Sequence, residues 1–298
     1  MSDIDKLVQR AEALLGRIEK LLPAAPVPTD WKASIAFRWR KHDGRGVIEA
    51  VRHVHRISLG DLRGIERQKK IVEQNTRQFV AGYPANNVLL TGARGTGKSS
   101  LIKALLNKYA PRGLRLIEVD KQDLIDLPEI VDHIDRRAER FILFCDDLSF
   151  DADEQGFKAL KVVLDGSVAA ASENCLIYAT SNRRHLMPEY MSENLAAKRV
   201  DDEIHPGETV EEKISLSERF GVWVSFYPFD QDQYLDIVAQ WLSHYKFSGA
   251  GAGDAAVRQA ALQWALQRGS RSGRVAWQFA RDWSGRLKSE AARKKMKG

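Results

Sequence analysis

Residues 92–99 read Gly92-Ala93-Arg94-Gly95-Thr96-Gly97-Lys98-Ser99. They lie between the unbroken apolar run Val88-Leu89-Leu90 and a stretch of helical periodicity over 99–108. A strand that turns into a helix through such a loop leaves backbone N–H groups converging at the positive end of a helix dipole. That arrangement holds phosphate. Gly92, Gly95 and Gly97 free the backbone to wrap, and Ala93, Arg94, Thr96 and Ser100 complete the cradle. Lys98 is expected to reach the β and γ phosphates of a nucleotide, and Ser99 to ligate magnesium.

The segments around this loop repeat its alternation. Strands are predicted at 115–119, 141–145, 175–179 and 222–226, with helices at 128–137 and 157–164 between them. Strands that are apolar throughout, rather than at every second residue, belong in a parallel sheet covered on both faces. From residue 231 only helical patterns remain, at 234–245, 255–268 and 274–288. The expected fold is α/β: a parallel-sheet core over 59–230 followed by a small all-helical domain with a basic tail over 231–298. Before the core, Ser2 and Asp5 suggest a capping box. Ile4, Leu7, Val8, Ala11, Leu14, Leu15, Ile18, Leu21 and Leu22 recur at helical spacing, which predicts an amphipathic helix over 1–22. Residues 23–30, with Pro23, Pro26 and Pro28, read as a stiff linker.

Composition excludes several classes. Of 298 residues, 44% are apolar and 29% charged, an ordinary globular profile. No apolar run approaches the roughly 18 residues of a membrane span, and Asp3 and Asp5 stand where a signal peptide carries positive charge. The expectation is a cytoplasmic protein with no membrane association. Cys145 and Cys175 each fall in an apolar strand and read as buried free thiols. The formal net charge of +6 is unevenly spread. Residues 31–58 form a basic segment in which Lys32, Arg38, Arg40, Lys41, Arg45, Arg52 and Arg56 interleave with Trp31, Phe37 and Trp39. Such interleaving over 31–60 fits nucleic-acid contact or a solvated surface about equally. The tail cations Arg281, Arg286, Lys288, Arg293, Lys294, Lys295 and Lys297 read first as solvated surface.

A hydrolytic nucleotide site needs acidic residues at the end of a neighbouring strand. Phe141-Ile142-Leu143-Phe144-Cys145 ends in Asp146-Asp147. Asp146 is expected to hold magnesium and Asp147 to polarise the attacking water, although its side chain is shorter than the glutamate common at such positions. Thr180-Ser181-Asn182 ends the next strand, and Asn182 is the candidate for positioning that water.

The order of these motifs, followed by Ser217-Glu218-Arg219-Phe220-Gly221 and by Gly273-Arg274, resembles the AAA+ ATPases over about residues 59–288. More narrowly, the stretches 84–90, 92–100, 146–150, 179–186 and 216–221 resemble a bacterial AAA+ group known as a domain of unknown function. The resemblance implies ATP and Mg2+ as cofactors and an oligomer, a ring or open ring. It implies that Arg219 is an arginine finger reaching the γ phosphate of the adjacent subunit. Arg274, with Arg271 as a rival, takes the place of an arginine that contacts the phosphates from the helical lid. The segment containing Leu62 and Ile65 matches the part that packs on adenine. Residues 183–218 form a long connection, expected to face a partner or to be inert packing.

The expected function is Mg-dependent ATP hydrolysis coupled to remodelling or loading a macromolecule, with a nucleic acid or a protein client as partner. The alternative is an ATP-dependent assembly switch that hydrolyses little, and a small-molecule kinase is a third reading. If the loop is a phosphate cradle, Lys98→Ala removes its only ammonium, and fluorescent-nucleotide titration should find binding abolished.

Overall fold

The computed structural model describes residues 4, 8–12, 14, 29–42, 44–149, 155–165, 173–182, 198–200, 203–205, 218–245 and 254–295. Two compact units result, Met1–Asp30 and Trp31–Gly298. In the first, residues 4, 8–12 and 14 are helical, and most of the expected linker lies outside the described residues. So does most of 183–218, apart from Glu218 and two short strands, β7 (Lys198–Val200) and β8 (Glu203–His205), which pair antiparallel. Among the described residues no helix is long and apolar enough to cross a membrane.

The second unit is built on a 7-stranded sheet. Its strands are β1 (Ala36–His42), β2 (Arg45–Ala50), β3 (Val88–Gly92), β4 (Leu114–Glu118), β5 (Arg140–Cys145), β6 (Cys175–Ser181) and β9 (Val222–Phe226). They lie in the order β2-β1-β4-β5-β6-β3-β9, and all but β2 run parallel. Successive side chains of a strand point to opposite faces, and here both faces are core. Val88, Leu90, Leu116, Ile142, Phe144 and Tyr178 enter one apolar cluster. Leu89, Ile117, Leu143, Cys145, Ile177 and Ala179 enter the other. This two-sided burial is why the strands are apolar without interruption.

The first face is covered by α1 (Glu66–Val80) and α2 (Lys98–Tyr109), and its apolar cluster continues into the C-terminal helices α5 (Gln231–His244), α6 (Ala255–Gln267) and α7 (Gly273–Lys295), which pack chiefly on one another. The second is covered by α3 (Leu127–Ile134) and α4 (Gln155–Asp165). Within the first cluster the Tyr178 hydroxyl is bonded to Thr76 Oγ1 at 2.8 Å and accepts from Asn75 Nδ2 at 3.2 Å. Burial pushes that phenol up to about 12. Burial likewise pushes the free thiols of Cys145 and Cys175 up to about 12. α5 starts on a reciprocal cap: Asp230 Oδ1 accepts from Gln233 N at 2.8 Å, and Gln233 Oε1 accepts from Asp230 N at 3.1 Å.

The hairpin β1–β2 changes the meaning of the basic, aromatic segment. Strand alternation puts Phe37 and Trp39 on one face and Arg38 and Arg40 on the other. Phe37 and Trp39 are fully buried and Trp31 is 8% exposed, so none of the three can stack on a base, and the aromatic half of the nucleic-acid expectation fails. Three of the cations are paired locally. Arg38 pairs with Glu118 at 2.6 Å, Arg40 with Asp120 at 2.6 Å, and Lys41 with Asp126 at 2.8 Å. The Trp39 indole also donates to Asp126 Oδ2 at 2.9 Å. Gly46 lies against the same ring, where an added Cβ would come within 1.8 Å of it.

Trp39→Ala should therefore cost about 3–5 kcal/mol of stability in urea denaturation. Trp39→Phe, which keeps a ring but loses the indole bond to Asp126 while Lys41 still pairs with that carboxylate, should cost less, about 0.5–1.5 kcal/mol.

Candidate functional site

The phosphate loop begins where β3 ends, and its backbone admits little but glycine. Gly92 has φ +120°, and a Cβ there would sit 1.9 Å from the Phe226 carbonyl oxygen. That close approach lets Ala93 N donate to Phe226 O at 3.3 Å, joining the start of the loop to the end of β9. Gly97, with φ +98°, turns the chain into α2. Lys98 is the first residue of that helix and Ser99 the second, so both face the end of the sheet.

The side chains singled out in the sequence meet there. Lys98 Nζ donates to Gly92 O at 2.7 Å, to Ala93 O at 2.8 Å and to Asn182 Oδ1 at 3.0 Å. Burial lowers the pKa of this ammonium from its ordinary value, while Asp146 and Asp147 oppose the shift. Ser99 Oγ donates to Asp146 Oδ1 at 2.7 Å, and Thr180 Oγ1 donates to the same oxygen at 2.6 Å. Asp147 has a left-handed backbone, φ +54°, and its N–H donates to Thr180 Oγ1 at 2.9 Å. Its carboxylate accepts from Asn182 Nδ2 and stands 3.9 Å from Arg94.

Above this floor a cleft of about 690 Å³ opens between the core and the helical region. That volume falls within the range of about 300–1,000 Å³ usual for small-ligand sites. Leu62 and Ile65 line one wall; Arg274, Trp277 and Trp241 line another; Ser100 and Thr96 lie along the loop. Loop and lid also touch directly. Gly273 N donates to Gly95 O at 2.8 Å, and a Cβ on Gly95 would come within 2.8 Å of the Ser272 Cβ. Arg219 does not line the cleft, and its Nε donates to Asp165 at the end of α4.

Sequence reasoning missed the two tryptophans and the bridging hydroxyl of Thr180. Trp277 follows Arg274 by one helical turn, a spacing that would have flagged it once Arg274 was assigned to a helix start.

The chain matches the family model described as "Protein of unknown function (DUF815)" over residues 32–287. No curated protein sequence matches it. Among solved structures it is similar to the Aeropyrum pernix Orc1 protein in complex with DNA, at 16% identity and TM-score 0.54. That match covers 77% of this chain and 61% of the other. Two Thermotoga maritima RuvB mutants match at 14% and 16% identity, with TM-scores of 0.48 and 0.49. They are covered over 64% and 67% of their length and cover 76% and 78% of this chain. The chain thus spans less than two thirds of the Orc1 chain and of the first RuvB chain. At these identities the shared feature is the fold, a parallel-sheet AAA+ core followed by helices. The chain belongs to the family described as "Protein of unknown function (DUF815)", on an AAA+ fold.

Proposed function

We propose that this chain binds ATP with Mg2+ in the cleft and hydrolyses it as an oligomer, coupling the reaction to remodelling or loading a macromolecule. The observation that carries this reading is the convergence of Lys98, Ser99, Asp146, Asp147 and Asn182, one hydrogen bond apart, beneath a cleft of nucleotide size. The backbone N–H groups of 92–100 and the start of α2 supply the anion site. Lys98 exchanges its loop carbonyls for phosphate oxygens. Leu62 and Ile65 supply an apolar wall for the base, and Arg274 a cation from the lid.

Ser99 Oγ and Asp146 Oδ1 are hard oxygen donors of the kind Mg2+ takes. Among the described residues no group of three or more His, Cys, Asp or Glu could hold a metal by itself. The donor set therefore fits a cation shared with phosphates, which would neutralise charge there. Asp147 orients and deprotonates water, and Asn182 holds it. Arg219 acts from the neighbouring subunit as an arginine finger.

For the macromolecule we favour nucleic acid over a protein client. The support is the similarity to a protein whose structure is in complex with DNA, together with the exposed cations Arg45, Arg52 and Arg56. A second reading, an assembly switch with little turnover, has one observation in its favour: the Asp147 carboxylate is held by Asn182 of its own chain. Phosphate-release rates with and without DNA separate the two.

Asp147→Asn should keep ATP affinity while turnover falls at least about tenfold, since only water activation is lost. Arg219→Ala should leave affinity within a few-fold and lower turnover by about 100-fold or more. Mixing the two variants should restore part of the activity, because some interfaces then join an intact Asp147 to an intact Arg219. Wild-type turnover by Arg219→Ala alone would leave Arg219 as the ion-pair partner of Asp165 and nothing more.

A further inference from the structure

Thr180 lies one residue from the end of β6 and is 2% exposed. Its side chain bonds to the segment that follows β5. Its hydroxyl donates to Asp146 Oδ1 at 2.6 Å and accepts from Asp147 N at 2.9 Å, and its carbonyl accepts from Leu148 N at 2.7 Å. A hydroxyl has a single proton to give. Once that proton goes to the Asp146 carboxylate, the oxygen is left as the acceptor for the Asp147 N–H, so both bonds have a fixed direction.

These bonds sit where the backbone is strained. Asp147 has φ +54°, a conformation unfavourable for a non-glycine residue that persists only where its surroundings impose it. Here the bond from its N–H to Thr180 Oγ1 and that from Leu148 N to Thr180 O flank the strained residue. The turn they hold sends the Asp146 side chain to Ser99 and the Asp147 side chain to Asn182. Among the described residues, Asp146 Oδ1 accepts from Ser99 and Thr180. When Ser99 turns its oxygen to a cation, Thr180 is the donor that remains.

Building on the nucleotide reading above, we propose that Thr180 is a positioning residue whose hydroxyl aims the Asp146 carboxylate at the cation and fixes the backbone that carries Asp147. One side chain thereby ties metal affinity to water activation.

The test uses the full chain as wild type, Thr180→Val, Thr180→Ala and Thr180→Ser. Each is titrated with a fluorescent ATP analogue in EDTA and in Mg2+, and assayed for phosphate release across a Mg2+ series. In EDTA all that fold should bind within about twofold of one another, because the loop and Lys98 are intact. Wild type and Thr180→Ser should gain affinity on adding Mg2+, and Thr180→Val should lose at least about fivefold of that gain. Its half-saturating Mg2+ should rise and its kcat fall about tenfold, with KM for ATP little changed. Thr180→Ala should match Thr180→Val, which keeps the test decisive if the valine variant melts early. A valine or alanine variant with the wild-type Mg2+ response, or a serine variant as impaired as valine, overturns the role of the hydroxyl while leaving the nucleotide site standing. Wild-type protein that binds nucleotide with no gain from Mg2+ overturns the metal reading and this inference with it.

Discussion

The parallel pairing of β6 between β5 and β3 is the constraint on which the site depends. It brings three strand ends to one edge of the sheet: β3 opens the phosphate loop, β5 delivers Asp146 and Asp147, and β6 delivers Thr180 and Asn182. Ligand sites of open parallel sheets form at the carboxyl ends of the strands, where loops diverge. The three groups are far apart in sequence. What holds them within hydrogen-bonding distance is the backbone ladder, together with strand side chains that enter apolar clusters on both faces. The chemistry at the edge is therefore as rigid as the sheet beneath it.

The loop is closed around its own cation. Lys98 is buried, and its ammonium is satisfied by two loop carbonyls and an amide. Desolvation lowers its pKa, and such a group gains when an anion replaces neutral acceptors. Phosphate entry trades those bonds for charge-assisted ones. The contact between Gly95 and Gly273 runs from this same loop to the start of α7. That helix carries Arg274 and Trp277, which line the cleft.

Much of this architecture was legible in the chain. Strands buried on both faces leave apolar runs that interrupt every other pattern, so β3, β4, β5, β6, β9 and the three C-terminal helices stood out, with ends displaced by a few residues. That Lys98, Ser99, Asp146 and Asn182 come together was legible because each follows closely on a strand end of the parallel sheet. The hairpin was not. Alternating Phe37, Arg38, Trp39 and Arg40 suits a nucleic-acid surface and a half-covered strand equally, and only the carboxylates of Glu118, Asp120 and Asp126, far away in sequence, decide between them. α1 was also overlooked, since Glu66–Val80 is largely polar and buries only Val72, Asn75, Thr76 and Phe79. Trp241 and Trp277 reach the cleft through the packing of α5 against α7, which no local pattern encodes.

The central claim is that Lys98, Ser99 and Asp146 together hold a nucleotide and its cation beneath the lid. A crystal structure of the full chain with a non-hydrolysable ATP analogue and Mn2+ in place of Mg2+ tests it most directly. The account predicts anomalous density for the metal beside Ser99 and Asp146. It also predicts the Lys98 ammonium on phosphate oxygens instead of the Gly92 and Ala93 carbonyls, with the base against Leu62 and Ile65. Nucleotide bound elsewhere, or a Lys98 that keeps its loop carbonyls while the analogue is bound, would contradict it.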